Sequence, residues 1–369
     1  MRILCRSIFV SCFVFFFLGN ELVYARGDYI DVHIHIDPKA AKQQKMSRRK
    51  RKRGQKISQY DTYRDIAANI VSFMNNMDVE KAIVIPPPQV PPFPGRGGTY
   101  EQCLLLIENA PERFYLGGGG GILSPLIYKY EAAEVTPLVQ LQFRKKAEKL
   151  IKAGIVVFGE MSALHLSMHE GHVFSEVAPD HPLFLLLADI SAKYDIPINL
   201  HMEPVPEDMP TPDSMLNASS NNPDTLKANI EALENLLAHN REAKIVWQHI
   251  GWDNLGYMTI ELLTDLLNKH PNLYVALRVE YRRLKMDRSG PMENRIVDTN
   301  WKVRPEWINF VTKFSDRIVI GSDDFMGMIR QQSRPKDSFV ETWSILDQFT
   351  EEIAQKIGRD NAVLIYNLD

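Results

Sequence analysis

Cysteine is scarce in this chain, with three residues among 369. Cys5 and Cys12 lie within the first 25 residues, which leaves Cys103 as the one thiol beyond them. A single thiol forms no internal disulfide and no cysteine-rich zinc site. Any metal must therefore be bound by histidine and carboxylate side chains. Because Cys103 lies in a helical-looking stretch, we expect it to be a small buried hydrophobic residue.

Excess charge and long apolar runs are also lacking. The net charge of -3 is too small to indicate a nucleic-acid partner. The apolar run at 8–18, preceded by Arg2 and Arg6 and followed by Ala25, is too short to span a bilayer as a helix. This pattern is typical of a secretory signal peptide. We therefore predict a signal peptide at 1–25, a secreted or periplasmic protein, and no stable membrane anchor after cleavage.

Acidic residues are absent from residues 39–56, which carry ten basic ones. They are Lys39, Lys42, Lys45, Arg48, Arg49, Lys50, Arg51, Lys52, Arg53 and Lys56. Such a block is typical of a solvated, mobile loop. The alternative interpretation is a lid that attracts anionic groups, because the block directly follows the first predicted strand.

Eight short apolar segments, each followed by a helical pattern, account for the rest of the chain. The predicted strands lie at 29–37, 81–85, 114–117, 155–158, 196–200, 243–247, 273–277 and 318–320. This alternation predicts an α/β protein whose single domain, 26–369, is a (β/α)8 TIM barrel. The alternative, an open doubly wound sheet, would need a glycine-rich phosphate turn after the first strand. We interpret the five glycines at 117–121 as a strand end where backbones approach closely.

Metal-binding residue types lie at the ends of these strands, where TIM barrels have their active sites. His33 and His35 are two apart in a strand, so alternation places both imidazoles on one face, with Val32, Ile34 and Ile36 on the other. Four further residues end later strands: Glu160, His201, His249 and Asp323. One such histidine alone would more simply be a hydrogen-bonded core residue. Six residues of metal-binding types at one end of a barrel instead predict a metal centre.

The local sequences around these residues resemble the metal-dependent amidohydrolase superfamily, and within it the amidohydrolase-related (amidohydrolase 2) branch. They are the HIH of His33 and His35, INLHME around His201, WQHIG around His249 and IGSD ending at Asp323. The segment 357–368 is similar to the closing helix of that branch. The resemblance covers 29–368, and its motifs are short individually but specific together.

The resemblance implies one or two divalent ions. Many members with two metals use a carboxylated lysine after the fourth strand, where this chain has Glu160. With two ions, His33, His35 and Asp323 would bind one, His201 and His249 the other, and Glu160 would lie between. With one ion, the ligands would be His33, His35, His201 and Asp323. Zinc is our first expectation, and manganese, iron and cobalt are alternatives.

The resemblance also implies catalytic roles. Asp323 would bind the metal and take the proton of the attacking water, and His249 would be the second catalytic residue. We expect alternation to turn Asp323 towards the site and Asp324 away from it. Arg278 could bind a substrate carboxylate or be an ordinary surface residue, and Trp252 could line the pocket. His165, His169 and His172 are interpreted as loop histidines near the cleft, with an extra metal site as the alternative.

Three functions remain open at this point. The first is hydrolysis of an amide, lactone or ester bond in a small molecule by a metal-activated water. The second is metal-dependent non-oxidative decarboxylation or hydration of an unsaturated or aromatic carboxylic acid. The third is an exported barrel that binds a ligand or metal without catalysis. Whether the chain forms a homo-oligomer also stays open.

Overall fold

The computed structural model describes residues 28–37, 39–51, 58–89, 99–279, 295–328 and 338–369. The predicted signal peptide, and the part of the basic block beyond Arg51, lie outside these ranges. Within them, no helix is long and apolar enough to cross a membrane. Cys103 is a buried free thiol, as expected.

Within the described ranges, nine strands follow one another along the central sheet, and every neighbouring pair among these nine is parallel. They are β1 (Tyr29–Ile36), β2 (Val79–Val84), β3 (Phe114–Gly119), β4 (Ile155–His165), β5 (Ile198–Met202), β6 (Ile245–Ile250), β7 (Leu273–Leu277), β8 (Ile318–Ile320) and β9 (Asp324–Met326). In space they run in sequence order from β1 to β8, and β9 pairs with the free edge of β1.

The last two strands close the barrel. β8 pairs with β7, and three residues later β9 pairs with β1. Between them, the backbone N–H of Asp323 donates to the carbonyl of His33 at 2.8 Å. One chain segment therefore joins the first and seventh strands, which confirms the predicted (β/α)8 barrel. The sequence pattern had indicated only the β8 half of this segment.

Helices cover the outside of the sheet. The α-helices are Ala40–Arg51, Gln59–Asn75, Tyr100–Asn109, Ser124–Ile127, Pro137–Lys152, Pro182–Tyr194, Asp213–Ala218, Ile230–His239, Ile260–Lys269, Pro305–Lys313, Ser338–Trp343, Glu351–Gln355 and Asn361–Tyr366. Short 3-10 turns lie at Ala132–Glu134, Ser315–Arg317 and Leu346–Gln348, and a π-helical turn at Lys356–Asp360. Ser175–Glu176 pairs antiparallel with the end of β4, and Met209–Pro210 with Thr225–Leu226.

The apolar core has two layers. A large cluster packs the outer face of the sheet against the helices. A smaller cluster fills the barrel interior with one side chain from each of several strands, such as Val32, Val157 and Val246. Ile365 and Tyr366 of the C-terminal helix complete this inner cluster. The strand ends that carry the ligand-type residues are therefore supported by this packed layer of apolar side chains.

The expectation that Val32 packs opposite His33 is wrong. Asp31 and Ile34 of β1 are three residues apart, but their partners in β2, Ala82 and Val84, are only two apart. β1 therefore contains one extra residue, a β-bulge. Consequently Val32 joins the inner cluster while Ile34 belongs to the outer one. A Cβ on Gly321 would lie 3.0 Å from the His33 Cβ and 3.3 Å from Val32, so both neighbours face inward.

The same irregularity occurs in two other strands that carry ligand-type residues. β4 has one extra residue between Phe158 and Met161, where Glu160 lies. β6 has one between Trp247 and Ile250, where His249 lies. A bulge lets consecutive residues turn to the same side and so re-aims a side chain.

Residues 40–51 of the basic block form a helix, so the prediction of a loop there is wrong. Alanine, glutamine, lysine, arginine and methionine are all strong helix formers. Ala40 and Gln44 are buried on the side that contacts the barrel, while Lys42 and Lys45 are exposed.

The glycine run ends β3, as its interpretation required. A Cβ on Gly120 would lie 2.7 Å from the Glu160 carbonyl oxygen and 2.8 Å from that of Pro86. Only glycine permits this close approach of three backbones. The run therefore makes room for the backbone that carries Glu160.

Candidate metal centre

The structure brings six ligand-type side chains together at the C-terminal ends of the strands. They are His33 and His35 of β1, Glu160 of β4, His201 of β5, His249 of β6 and Asp323 between β8 and β9. None of these side chains is more than 14% exposed. Buried groups of this kind need partners or a bound cation.

The β1 histidines have fixed tautomers. His33 Nδ1 lies 2.9 Å from Gln248 Oε1, and His35 Nδ1 lies 2.6 Å from the Ile85 carbonyl oxygen. Both oxygens can only accept, so each Nδ1 carries the proton. In the neutral imidazole each Nε2 then has the lone pair, which is the tautomer that binds metals through Nε2.

These two lone pairs meet at one point. The Nε2 atoms are 3.1 Å apart, and two acceptors at that distance need a proton or a cation between them. Asp323 Oδ1 lies 3.1 Å, and Glu160 Oε2 3.5 Å, from His35 Nε2. Ligand atoms about 2.0–2.2 Å from one tetrahedral ion are roughly 3.3–3.6 Å from each other. The separations of 3.1, 3.1 and 3.5 Å lie within or just below this range, so a small adjustment of these side chains would fit a divalent metal.

A second group lies on the other oxygen of Glu160. His201 Nδ1 and His249 Nε2 are each 2.9 Å from Glu160 Oε1. Glu160 therefore separates two pairs of imidazoles, with one carboxylate oxygen towards each pair. The backbone bulge in β4 is what turns this side chain into the barrel.

The electrostatics of the centre favour a positive charge. Burial lowers the pKa of His35, but hydrogen bonds to Asp323 and Glu160 outweigh it and raise the pKa to about 10. Burial raises the pKa of Glu160, yet the charge of His33 and hydrogen bonds from His201 and His249 hold it well below its usual range. Burial lowers the pKa of His249 to about 4. Burial raises the pKa of Asp323 as well, but the charge of Arg278 outweighs it and holds that pKa below its usual range. Glu160 and Asp323 are therefore both ionised at neutral pH, which suits a metal ligand.

Two of the ligand-type residues have left-handed backbones, with φ of 65° at His249 and 53° at Asp323. This conformation is uncommon outside glycine and clusters at functional sites. The structure places Asp323 in the site and Asp324 outside it, where Asp324 accepts a hydrogen bond from Ser338 Oγ at 3.1 Å. The reason differs from strand alternation, because β8 ends at Ile320 and the turn before β9 orients Asp323.

The candidate substrate residues lie beside Asp323. Arg278 Nη1 is 2.9 Å from Asp323 Oδ2, and the guanidinium carbon lies 4.2 Å from the centre of the Trp252 ring. The predicted pair is therefore stacked together at the edge of the centre, and Arg278 already binds a carboxylate there.

The three additional histidines do not form the helical pair that an i, i+4 spacing would give. His165 ends β4 and its ring lies 4.8 Å from that of His201, while His172 packs on His165 at 4.7 Å. His172 Nδ1 accepts a hydrogen bond from the backbone N–H of Met168, so the lone pair of this nitrogen is already used and does not bind a metal. Among the described residues, the group that could hold a metal is instead His33, Glu160, His249 and Asp323.

Sequence reasoning missed two contributors. Gln248 fixes the tautomer of His33. Strict alternation in a strand turns adjacent residues to opposite faces, so Gln248 was not expected to face inward beside His249. Phe325 lies with its ring 4.6 Å from that of His35 and is 38% exposed. It provides an apolar wall at the mouth of the barrel, and no signal in the sequence marks it.

Comparison with known proteins gives one family. A family model described as amidohydrolase matches residues 161–368, more than half of the chain. No curated protein matches the chain.

Several solved structures are similar in fold. A probable 2-pyrone-4,6-dicarboxylic acid hydrolase from Acinetobacter baumannii is 13% identical, with 93% of this chain and 100% of that chain covered and a TM-score of 0.49. The 4-oxalomesaconate hydratase of Rhodopseudomonas palustris is 15% identical, with 92% and 95% covered and a TM-score of 0.46. A dihydroxybenzoic acid decarboxylase from a Polaromonas species is 11% identical, with 93% and 98% covered and a TM-score of 0.45.

Proposed function

The chain belongs to the amidohydrolase family, and on that premise we propose that it is a metal-dependent hydrolase that cleaves an amide, lactone or ester bond in a small molecule. The observation that carries this proposal is the position of Glu160. Its Oε2 lies 3.5 Å from His35 Nε2, and its Oε1 lies 2.9 Å from His201 Nδ1 and His249 Nε2. One carboxylate oxygen thus faces each pair of imidazoles, which supports two divalent ions that Glu160 would lie between.

In this arrangement His33, His35 and Asp323 would hold one ion, and His201 and His249 would hold the other. Zinc suits a site of imidazoles and carboxylates without thiolate, and manganese, iron or cobalt would also suit it. Such ions polarise a substrate carbonyl and acidify water. A pair of ions favours hydrolysis over decarboxylation, because decarboxylation needs no activated water.

The chain's own residues would then handle the proton. Asp323 would take the proton of the attacking water and pass it to the leaving nitrogen or oxygen as the C–N or C–O bond breaks. Its Oδ2 is held by Arg278 Nη1 at 2.9 Å. His249 Nδ1 lies 3.8 Å from the same oxygen and has no hydrogen-bond partner among the described residues. With Nε2 directed to a metal, this Nδ1 would carry the ring proton and could donate a hydrogen bond to Asp323 or to the substrate.

A carboxylate on the substrate would compete with Asp323 for Arg278. The guanidinium is a planar donor fork that matches carboxylates, and its stacking on Trp252 fixes the plane of the fork. Phe325 offers an apolar face to the remainder of the molecule. We therefore propose a small carboxylate-bearing substrate, with its carboxylate on Arg278.

The test is the metal-to-protein ratio of purified protein, followed by hydrolysis assays against lactone, ester and amide panels with carbon dioxide detection. We expect two ions per chain, falling to one in Glu160→Gln, because the amide is a much weaker bridging ligand. Glu176→Gln, which changes an exposed carboxylate in the short strand Ser175–Glu176 outside the centre, is the control and should keep both ions.

Two results would contradict the proposal. One ion per chain together with carbon dioxide release would favour the decarboxylase. Tight metal binding without turnover on any panel would favour a barrel that only binds a ligand or metal.

A further inference from the structure

Asp31 is a buried carboxylate that the proposed reaction does not use. Its residue is 0% exposed, and it lies on β1 immediately before the bulge that turns His33 inward. A carboxylate in such a place is costly unless hydrogen bonds compensate for the lost water. Its partners therefore show what it stabilises.

One oxygen of Asp31 joins the two backbones that carry metal ligands. Oδ1 accepts from the backbone N–H of His33 at 2.9 Å and from that of Ser322 at 3.1 Å. Ser322 directly precedes Asp323, whose own N–H donates to the His33 carbonyl at 2.8 Å. The bond to His33 spans two residues, a local pattern in which an aspartate side chain replaces a ladder hydrogen bond.

The second oxygen is fixed from outside the barrel. Oδ2 accepts from Trp343 Nε1 at 2.9 Å, and the Trp343 ring stacks on Tyr29 with centroids 5.4 Å apart. Helix Ser338–Trp343 thereby holds the carboxylate in one orientation. The bulge amide, the β8–β9 turn and this helix all meet at one side chain.

We propose that Asp31 is a positioning residue for the metal centre, which sets the β1 bulge and the β8–β9 turn so that His33 and Asp323 face one ion. The inference rests on the proposed metal centre. It extends that centre, because Asp31 lies behind β1 and touches neither ion nor substrate. Asp323, in its left-handed conformation, needs such an external restraint.

Cobalt binding gives a readout apart from activity. Asp31→Ala leaves the His33 and Ser322 amides without their acceptor, and we expect Co²⁺ affinity to fall by about 10–100-fold, as outer-sphere substitutions typically cause. The visible absorption of bound Co²⁺ should change as well, because the ligand geometry changes. Asn361→Ala is the matched control: its amide holds the other end of β8 through the Ser315 and Ile318 carbonyls. It should lower Tm with the Co²⁺ spectrum unchanged.

A second pair of variants keeps the test decisive if Asp31→Ala does not fold. In Asp31→Asn the Oδ1 acceptor can remain, but the amide nitrogen faces the Trp343 N–H, so Co²⁺ affinity should fall. Combining it with Trp343→Phe removes that opposing donor and should restore much of the affinity, a coupling that independent effects would not show.

The outcomes separate this inference from the proposed function. Wild-type affinity and spectrum in Asp31→Ala, or in Asp31→Asn, would overturn the role of Asp31 alone. A wild-type protein that binds no Co²⁺ would overturn the metal centre and this inference with it. If the wild-type protein hydrolyses no substrate while the variants show altered Co²⁺ binding, only the proposed hydrolase activity is overturned.

Discussion

At the scale of single residues, Asp323 and Asp324 are adjacent acids with opposite surroundings. Asp323→Asn removes the anionic ligand and the proton acceptor but keeps the shape. We expect kcat to fall at least about 100-fold, as loss of a general base typically causes. The histidines should retain some metal, which a metal-to-protein ratio would show.

Asp324→Asn is the control for that change. Asp324 accepts from Ser338 Oγ at 3.1 Å and from the Phe325 N–H at 3.1 Å, outside the centre. An asparagine oxygen can accept both bonds, so kcat should stay within about tenfold of wild type. Equal losses at both positions would mean that the β8–β9 turn orients these acids differently.

The ligand-type residues at the strand ends could be predicted from the sequence, whereas the backbone irregularities that aim several of them could not. His33, His201 and Asp323 follow apolar strands, and strand ends are where a barrel places its site. The bulges at His33, Glu160 and His249 break strict alternation, and a bulge leaves no signal in hydrophobic periodicity. The Asp31 and Gln248 contacts depend on those bulges, so they became visible only in the structure.

At the scale of elements, helix Pro182–Tyr194 begins with a titratable cap. His181 Nδ1 accepts the Leu183 N–H at 3.3 Å while Nε2 lies 2.9 Å from the Tyr130 carbonyl oxygen. Burial lowers the pKa of His181, and the Tyr130 bond and the charges of Glu131 and Asp180 only partly oppose it.

Stability should therefore depend on pH through this cap. The pKa of His181 in the folded protein is below its ordinary value of 6.5. The neutral cap therefore contributes its full stabilisation of the fold above pH 6.5. Protonation of His181 removes this contribution as the pH falls from 6.5 through the folded pKa. His181→Asn keeps a good capping residue that does not titrate. We expect a smaller difference in Tm between pH 7 and pH 5 than in wild type.

Thr136→Ala controls for the loss of a cap without titration. Thr136 caps helix Pro137–Lys152 through the Val139 N–H, and its removal should cost about 1 kcal/mol at both pH values. If His181→Asn shows the full wild-type pH dependence of Tm, other groups cause that dependence.

The helix Ala40–Arg51 leads to a prediction about anionic ligands. Replacing the ten basic residues of 39–56 with glutamine or serine removes the charge that would attract an anionic substrate. We expect KM to rise and its dependence on salt to flatten, because screening acts only on charge. Steady-state kinetics across a salt series measure both. An unchanged KM at low salt would show that the segment does not recruit substrate.

Element boundaries show where sequence reasoning succeeded and failed. The predicted strand 318–320 matches β8, because a short apolar run bounded by Asp316 and Gly321 is a clear signal. The helix after β1 was missed, because a block of like charge resembles a solvated loop whatever its helix propensity. β9 was missed because three residues with one exposed phenylalanine show no periodicity.

At the scale of the whole molecule, the first 25 residues predict export. Arg2, Arg6 and the apolar run at 8–18 form the pattern of a cleaved signal. Intact-mass measurement of the native protein should give a chain that starts at or near Arg26. Recovery of the full-length chain from the cytoplasm would contradict export.

The pairing of β1 with β9 ties the metal ligands to the completion of the whole barrel. His33 and Asp323 come from strands near opposite ends of the described chain, and neither is aimed until those strands meet. A partly folded chain would offer only scattered ligand-type residues, and we therefore expect tight metal binding to follow barrel closure. By mass action, an ion bound only by the closed barrel adds about 2.7 kcal/mol of stability at a hundred times its Kd. Metal supply would then affect the stability of the folded barrel but not whether the barrel forms.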